Sequence, residues 1–582
     1  MSKHHDFWRS LRAMIIKEKR DVAIVTIYSI VSSVLGLVVP LSSQAIVNAV
    51  ALGVFSQQLV VLCVLVALSM IALAVISVFE RYVVDMIQRR LFVETVFDIV
   101  SKLPRFTQGA LRKTYGPELV NRFFDVVTVQ KSFGKFLLEG INAILVLLTG
   151  LIVLGFYHPF FLLYDVAFML FIPILVFVLG RGAISTAIKA SKQKYFTASL
   201  LEDVARNQLA IKLTGTHRYG LERMNSVTTD YVHARHKHYV ILARQIFGSY
   251  LFKGLATVGI LALGGILVIE QAISLGQLVA AEIIIILILG AMEKLISQFD
   301  LYYDLIAALD KLAEIVDQPE EESGSIVVPH RASGGTIDIR NVHFAYDDNI
   351  VLKGVNLSVS SGQKVSLVGA SGMGKTTLAQ LLLGLDSPTK GSLEVNGVDT
   401  RVADLRSLRS RVGYVFPDNQ IIPGTVLDNI TLGRSIPLED LNWAIHMSHL
   451  DVLIRDMSAG LNTMVYTTGE NLSFGMRRRI LFARMIVDKP EILIIDEAFE
   501  GIEDSAKLKI LDGLMSWPNW TIVNISHDPE LVRRTSHVYV LDDGIVVESG
   551  RPLDLHARGG VFTSLFPDSE YFAHRDQGGM NG

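Results

Sequence analysis

Cysteine is nearly missing from this chain: Cys63 is the single one in 582 residues. One thiol excludes internal disulfides and any cysteine-based metal cluster. Its place in the apolar run "LVVLCVLVAL" suits a small buried hydrophobe better than a reactive thiol. Net charge is nearly missing too. The 54 Lys and Arg against 57 Asp and Glu leave a formal −3, which argues against nucleic acid as a partner. Aromatics make up only 8 % while half the residues are hydrophobic, so the apolar excess is aliphatic. The most informative absence is local. Lys and Arg are lacking from 21–80, 136–180 and 254–293, and these windows hold the long apolar runs.

A helix needs ~20 apolar residues to cross ~30 Å of hydrocarbon at 1.5 Å per residue. Each window has room for two such helices and a turn, with expected spans near 22–44, 59–80, 137–157, 161–180, 249–269 and 276–293. The basic residues set orientation. "MSKHHDFWRSLRAMIIKEKR" precedes the first span, and the connections 81–135 and 181–253 are rich in Lys and Arg. The turns "ALGVFSQQ", "GFYHPF" and "IEQAISLGQ" carry neither. The positive-inside rule then places both termini and both long connections in the cytoplasm, as expected of a multi-pass protein of the bacterial inner (plasma) membrane. Apolar positions at helical spacing within the connections predict that the membrane helices continue beyond the bilayer, with tips near "KTYGPELVNRFFD" and "LTGTHRYGLE". Asp165 and Glu282 are acids inside the spans and candidates for lining a polar path.

Composition changes after the sixth span. "DQPEEESGSIVVPHRASGG", 317–335, reads as a linker. Beyond it, short β-branched runs alternate with helical patterns, which predicts a mostly parallel sheet covered by helices. The expected organisation is a membrane domain over 1–316, the linker, an α/β nucleotide-binding domain over 336–566 and a flexible tail over 567–582.

"GASGMGKT", Gly369 to Thr376, follows the apolar strand "KVSLVG" directly. Gly369, Gly372 and Gly374 let the backbone curl so that its N–H groups face a phosphate. Lys375 brings charge to the terminal phosphates of ATP, Thr376 can ligate Mg2+, and the following helix points its positive end at the nucleotide. With Ser371 and Thr377, these residues form the expected nucleotide cradle. Chance alone would produce the bare pattern in roughly 2 % of chains this long. Further on, "EILIIDE" reads as a buried strand delivering two carboxylates to its end. Asp496 is expected to hold Mg2+ through water, and Glu497 to polarise the attacking water.

With these motifs in place, the chain resembles the ATP-binding cassette exporters over nearly its full length. The fold this implies is a polytopic α-helical membrane domain of six transmembrane helices, followed by an α/β P-loop ATPase domain. Within that family the chain looks like one half-transporter, and the short stretches "ISLGQLVAAE" and "LVVPLSSQAIVNAV" look similar to type I secretion and bacteriocin-type exporters. The resemblance implies a dimer, with each nucleotide held between the phosphate loop of one subunit and the signature motif of the other. In "VHFAYDD", Tyr346 matches the aromatic that stacks on adenine. In "NISHDPE", His527 matches the switch histidine near the terminal phosphate.

Departures from the family pattern are equally specific. Pro417 stands where the glutamine loop has its Gln, with Gln420 three residues on as the candidate substitute. "EGIED" replaces the usual Ser-Ala-Leu-Asp run after the catalytic acid. In "NLSFGMRRR", Leu472, Ser473, Gly475 and Arg477 match the signature Leu-Ser-Gly-Gly-Gln-Arg. Phe474 takes the place of its first glycine and Met476 that of its glutamine. Ser473 and Gly475 keep a phosphate grip at a helix N-terminus, whereas Phe474 adds a ring where backbone must approach phosphate. The expected partners are a second half-transporter, slightly favoured as an identical copy over a different one, together with membrane lipids and a transported peptide, protein, lipid or drug. An ATP-gated channel or a regulatory subunit with little turnover of its own is the alternative.

Overall fold

The computed structural model describes residues 12, 15–51, 56–113, 122–415, 421–567 and 572. Residues 114–121 of the tip expected at "KTYGPELVNRFFD", Pro417 and Gln420, and most of the expected C-terminal tail lie outside the described residues. The chain divides into two compact units, Met1–Phe106 with Ala110–Pro319, and Glu320–Gly582 with Thr107–Gly109.

Among the described residues of the first unit, six helices are long and apolar enough to cross a membrane. The first span is in two pieces, α1 (Lys19–Gly36) and α2 (Val38–Ala51). Pro40 explains the break, because it cannot donate to the Gly36 carbonyl and its ring crowds that carbonyl. α3 (Ser56–Lys102) is continuous over 47 residues, about 70 Å at 1.5 Å per residue, so it is more than twice as long as a bilayer core requires. The third span is α4 (Asp125–Lys135), a single π-helical turn, and α5 (Ile141–Tyr157). The fourth is α6 (Leu162–Pro173), followed by another π-helical turn over 174–179. There Pro173 withholds its N–H from the helical ladder.

α7 (Ala183–Arg206) and α8 (Gln208–Thr214) lead to a turn at Gly215, before α9 (His217–Ile269) runs back. α10 (Leu275–Val316) starts with a capping box: Ser274 Oγ accepts from Gln277 N at 3.1 Å, and Gln277 Oε1 from Ser274 N at 2.7 Å.

Burial is uneven among these helices. None of the most apolar stretch of α3 is buried within the unit, while half of that in α10 is. α10 is thus the central post, and α5 packs closely against it. A Cβ on Gly150 would lie 2.7 Å from Ile288 Cγ1, so glycine there sets the helix separation. The exposed side chains of α3 include Leu65, Leu68 and Ile71, which an aqueous surface would not favour and hydrocarbon would. Cys63 lies on this exposed stretch rather than in a protein core. The apolar run that contains it is apolar for solvation by lipid, not for packing. Asp165 sits in the first turn of α6, where a Cβ on Gly155 would come within 3.1 Å of its Oδ2. Glu282 is half-buried on α10.

The second unit is built on β1 (Ile337–Tyr346), β2 (Asn349–Val359), β3 (Lys364–Val368), α11 (Lys375–Leu382), β4 (Lys390–Val395), β5 (Val398–Asp399) and β6 (Val412–Val415). α12 (Phe474–Ile486), β7 (Ile492–Asp496), α13 (Asp504–Ser516), β8 (Thr521–Ile525), β9 (His537–Asp542) and β10 (Ile545–Gly550) follow. One sheet has the order β10-β9-β3-β8-β7-β6, all parallel apart from the β9–β10 edge pair. A second, antiparallel sheet has the order β2-β1-β4-β5. Every residue of β7 and of β8 is buried. Both faces of a parallel sheet are covered, so "ILIID" and "TIVNI" lack the alternation of a half-exposed strand, and even their polar Asp496, Thr521 and Asn524 are buried.

Candidate functional site

Register decides where the chemistry falls. Ile525 of β8 pairs with Leu367 of β3 on one side and with Asp496 of β7 on the other. The chain therefore leaves β3, β7 and β8 at one edge of the sheet. Gly369, Glu497 and His527 follow those strand ends within a few residues of one another across it. This is the C-terminal edge of parallel strands, where open α/β sheets bind ligands.

The phosphate loop spans Gly369 to Gly374. A Cβ on Gly369 would meet the Leu541 carbonyl oxygen at 2.1 Å, and Gly374 caps α11 at φ 97, so only glycine fits at either point. Ser371 and Gly372 are exposed on the loop, and Thr377 is buried beneath it. Lys375 opens α11 and is buried. Its Nζ donates to the Gly369 carbonyl at 2.6 Å and the Ala370 carbonyl at 2.9 Å, which holds the ammonium inside the curl of the loop. Burial pulls the Lys375 pKa below the ordinary lysine value, against the opposing pull of Glu497 and Asp496.

Asp496 ends β7 and is buried. Its Oδ2 accepts from Thr376 Oγ1 at 2.8 Å and from the Tyr414 hydroxyl at 3.0 Å. Burial raises its pKa, the two hydroxyls working in the other direction. A hydroxyl and a carboxylate converging at the mouth of a phosphate loop suit Mg2+, which is bound by one or two carboxylates plus nucleotide phosphates rather than by an all-protein cage.

Glu497 is in the left-handed region, φ 47, with its N–H donating to the Ile525 carbonyl at 2.9 Å. That conformation is uncommon for a residue with a Cβ, and it belongs with local strain held at functional sites. It turns the chain sharply after the buried Asp496, so that the Glu497 side chain is 47 % exposed. His527 Nε2 lies 3.7 Å from Glu497 Oε1 and 3.4 Å from Lys375 Nζ. Burial and the Lys375 charge lower the His527 pKa while Glu497 opposes them. A neutral imidazole follows, with Nε2 able to accept from the ammonium. The Tyr346 hydroxyl, at the end of β1, lies 3.2 Å from Thr377 Oγ1 and 3.1 Å from Gln380 Oε1. The edge-on ring of Phe344 supports it from 4.8 Å.

Ser473 and Gly475 belong to a different part of the unit. Ser473 caps α12, its Oγ accepting from Met476 N at 3.2 Å. That helix packs into a core shared with Phe499, Ile502 and Leu511, separate from the core beneath the phosphate loop. Met476 packs against the former core, so the residue standing in the glutamine position contributes apolar contact. Phe474 is half-buried. Its Cδ1 is 2.1 Å from where a Cβ on Gly501 would stand, and the Arg478 guanidinium lies over its ring at 5.0 Å. Tyr414 is not among the expected site residues, although a tyrosine in the short apolar strand "VGYV" is a faint signal, since a buried hydroxyl needs a partner. Gly501 lies within the departure "EGIED", but its contact with Phe474 leaves no mark in the sequence.

A membrane domain of six spans fused to a phosphate-loop domain with acid, base and lysine at one sheet edge defines a membrane transport protein driven by a nucleotide. The ABC transporter transmembrane region model matches residues 22–292, and the ABC transporter model matches 352–500, most of the chain between them. The chain belongs to the ABC transporter family, as an exporter half-transporter whose ATP-binding domain is an ATPase coupled to transport. It is 24 % identical to the transport/processing ATP-binding protein ComA of Streptococcus pneumoniae R6 over 95 % of this chain and 77 % of that protein. It is 31 % identical to the alpha-hemolysin translocation ATP-binding protein HlyB of Escherichia coli O157:H7 over 50 % of this chain and 42 % of that one. Among solved structures, a bacterial Atm1-family ABC exporter with ATP bound has the same fold, at TM-score 0.83 and 20 % identity, over 94 % of this chain and 98 % of that chain.

Proposed function

We propose that this protein is one half of an exporter that moves a peptide- or protein-like cargo out of the cytoplasm by alternating access, with two ATP molecules joining two nucleotide-binding domains. The observation that carries the reading is the convergence of Lys375, Asp496, Glu497 and His527 at one sheet edge, in a chain that also has six spans. In this reading the membrane domain is 1–316, the linker 317–335, the ATPase domain 336–566 and the tail 567–582. Tyr346 stacks on adenine, and Gly369, Ser371, Gly372, Gly374, Lys375 and Thr377 cradle the phosphates. Thr376 and Asp496 hold Mg2+, which when bound neutralises phosphate charge as the terminal group departs. Glu497 orients and polarises the attacking water, and His527 keeps that carboxylate and the terminal phosphate in line. Ser473 and Gly475 grip the γ-phosphate of the nucleotide on the other subunit.

Similarity to HlyB, named for alpha-hemolysin translocation, supports a peptide or protein cargo. Lipid or drug export is the runner-up for cargo. Basic cytoplasmic connections support an inner-membrane location with both termini inside. A homodimer is the simpler assembly. A second reading, an ATP-gated channel or regulatory subunit, is favoured by Phe474 and Met476 in the signature. It is disfavoured by an intact Glu497 and His527, which serve no purpose where no water is activated.

ATPase turnover of the purified chain alone in lipid nanodiscs tests this. The expected result is turnover abolished by Lys375→Ala and lowered about a hundredfold or more by Glu497→Gln, the latter variant accumulating as an ATP-bound dimer. Tight ATP binding without turnover would overturn the self-sufficient exporter in favour of the second reading or of a different partner subunit.

A further inference from the structure

Two departures from the family pattern touch one another. Phe474 and the "EGIED" loop are separated by about 25 residues in sequence, and nothing in either motif announces the other. In the structure the Phe474 ring stands where a side chain at Gly501 would be. A Cβ there would stand 2.1 Å from Phe474 Cδ1 and 2.7 Å from its Cε1. Gly501 also takes φ 73, a conformation that disfavours any other residue. A second contact lies beside it: a Cβ on Gly475 would be 2.9 Å from the Gly501 carbonyl oxygen. The same loop is pinned again where Phe499 packs on Phe482 of α12, ring centroids 4.7 Å apart. From above, the Arg478 and Arg477 guanidinium groups cover the ring at 5.0 and 5.6 Å, within cation–π range.

We propose that Phe474 is a positioning residue: its ring, seated on Gly501, locks the loop 498–503 to the first turn of α12. The inference rests on the proposed roles of Glu497 and the signature, and it extends them. Glu497 stands four residues before Gly501 and feeds directly into the locked loop. Ser473 and Gly475 stand on either side of Phe474. The turn that grips one nucleotide and the segment that carries the catalytic carboxylate of the other are thereby joined within one subunit through side-chain packing. Occupancy of one site is felt at the carboxylate of the other because the two segments move as one body. The aromatic replacement in the signature therefore adds a mechanical link. Its ring is directed onto the loop, and the glycine of "EGIED" is the space that accepts it.

Hydrogen–deuterium exchange on the full chain in nanodiscs tests the lock without requiring turnover. Phe474→Gly should raise exchange of the amides in 499–503 about tenfold, while β7 and β8 stay at the wild-type level. Phe474→Tyr, which keeps the ring, should leave the loop protected. Unchanged protection of 499–503 in Phe474→Gly overturns the proposal, whatever the ATPase does. The functional arm is a double-variant comparison. Gly501→Ala should lower kcat tenfold or more through the clash with the ring, and Phe474→Gly added to it should recover at least half of that loss. Purely multiplicative losses in the double variant overturn the lock, because a strained backbone at 501 is indifferent to residue 474. Wild-type chain that binds ATP without turnover counts against the exporter reading and leaves the exchange result to decide the lock by itself.

Discussion

Replacing Tyr414 by Phe removes one oxygen and should weaken magnesium dependence more than it weakens the fold. The Tyr414 hydroxyl donates to Asp496 Oδ2 at 3.0 Å, and Thr376 Oγ1 donates to the same oxygen at 2.8 Å. A hydrogen bond to a charged group is worth about 1.5–3 kcal/mol, which corresponds to roughly 10- to 150-fold in an equilibrium that needs the carboxylate charged and aimed. Thr376 remains as a partner in the variant, so the lower end applies, about tenfold. Loss of a residue that orients a metal ligand is commonly felt at about this size. The assay is the concentration of free Mg2+ that gives half-maximal ATPase at saturating ATP, paired with Mg2+-dependent tightening of ATP binding by the purified chain. Tyr414→Phe should raise both constants about tenfold and leave ATP binding in EDTA unchanged. Phenylalanine keeps the ring in the β6 packing, so the unfolding midpoint should move little. A half-saturating Mg2+ within twofold of wild type, with the midpoint unchanged, would refute the reasoning and reduce Tyr414 to a packing residue.

Three further outcomes are expected. His527 has its pKa lowered by burial and by Lys375, so the free protein holds it neutral at and above the ordinary histidine value of about 6.5. Protonation is costly, so kcat/KM should stay level from pH 8 down to that value and decline only below it. An acid limb centred above pH 7 in the wild type, absent in His527→Gln, would contradict the assignment. Gly369→Ala places a Cβ 2.1 Å from the Leu541 carbonyl oxygen, a clash of backbone with no flexible side chain to yield. It should cost about 1–3 kcal/mol of stability, read as a lowered unfolding midpoint with nucleotide absent. Ser473→Ala removes the cap of α12, worth about 1 kcal/mol; Ser473→Asp, which can still cap, should restore the unfolding midpoint while failing to restore ATPase, since a carboxylate repels phosphate.

Much of the architecture was legible because it follows from solvation. A window without Lys or Arg that holds two apolar runs has few places to go other than a bilayer, and the six helices sit where those windows are. The strands "ILIID" and "TIVNI" were legible for the related reason that burial on both faces allows no polar alternation. Pro40 and Pro173 stand at the helix interruptions, although the spans near 22–44 and 161–180 were expected without a break. Cys63 misled, since the same apolar run serves a buried core and a lipid-facing surface, and sequence does not separate them. Tyr414 and Asp496 are joined across 82 residues and Phe474 and Gly501 across 27. Such pairings are set by strand register and by loop conformation, neither of which leaves a periodic trace.

The altered signature bears on whether the partner is an identical copy. Ser473 still caps α12 with its hydroxyl, and the Phe474 ring is engaged with Gly501 and the arginines. A signature on its way to being lost would be expected to keep a change such as glycine to phenylalanine without any matching space. Here the space is provided by a glycine held at φ 73 in the loop that leaves Glu497, and Met476 fills a core position. Under the proposed roles, the fit of Phe474 to Gly501 supports a signature in use, and Lys375, Asp496, Glu497 and His527 converge in the same chain. Both halves of a composite site are then available from one sequence, which is what a self-pairing half-transporter needs. A mixed dimer makes the opposite demand: an inert signature in one subunit requires nothing of the loop beside it. Ser473 is the residue at which the two assemblies part. In a homodimer its replacement by alanine should depress turnover at both sites, whereas in a mixed dimer with an idle signature, turnover at the site that uses this chain's Glu497 should survive it.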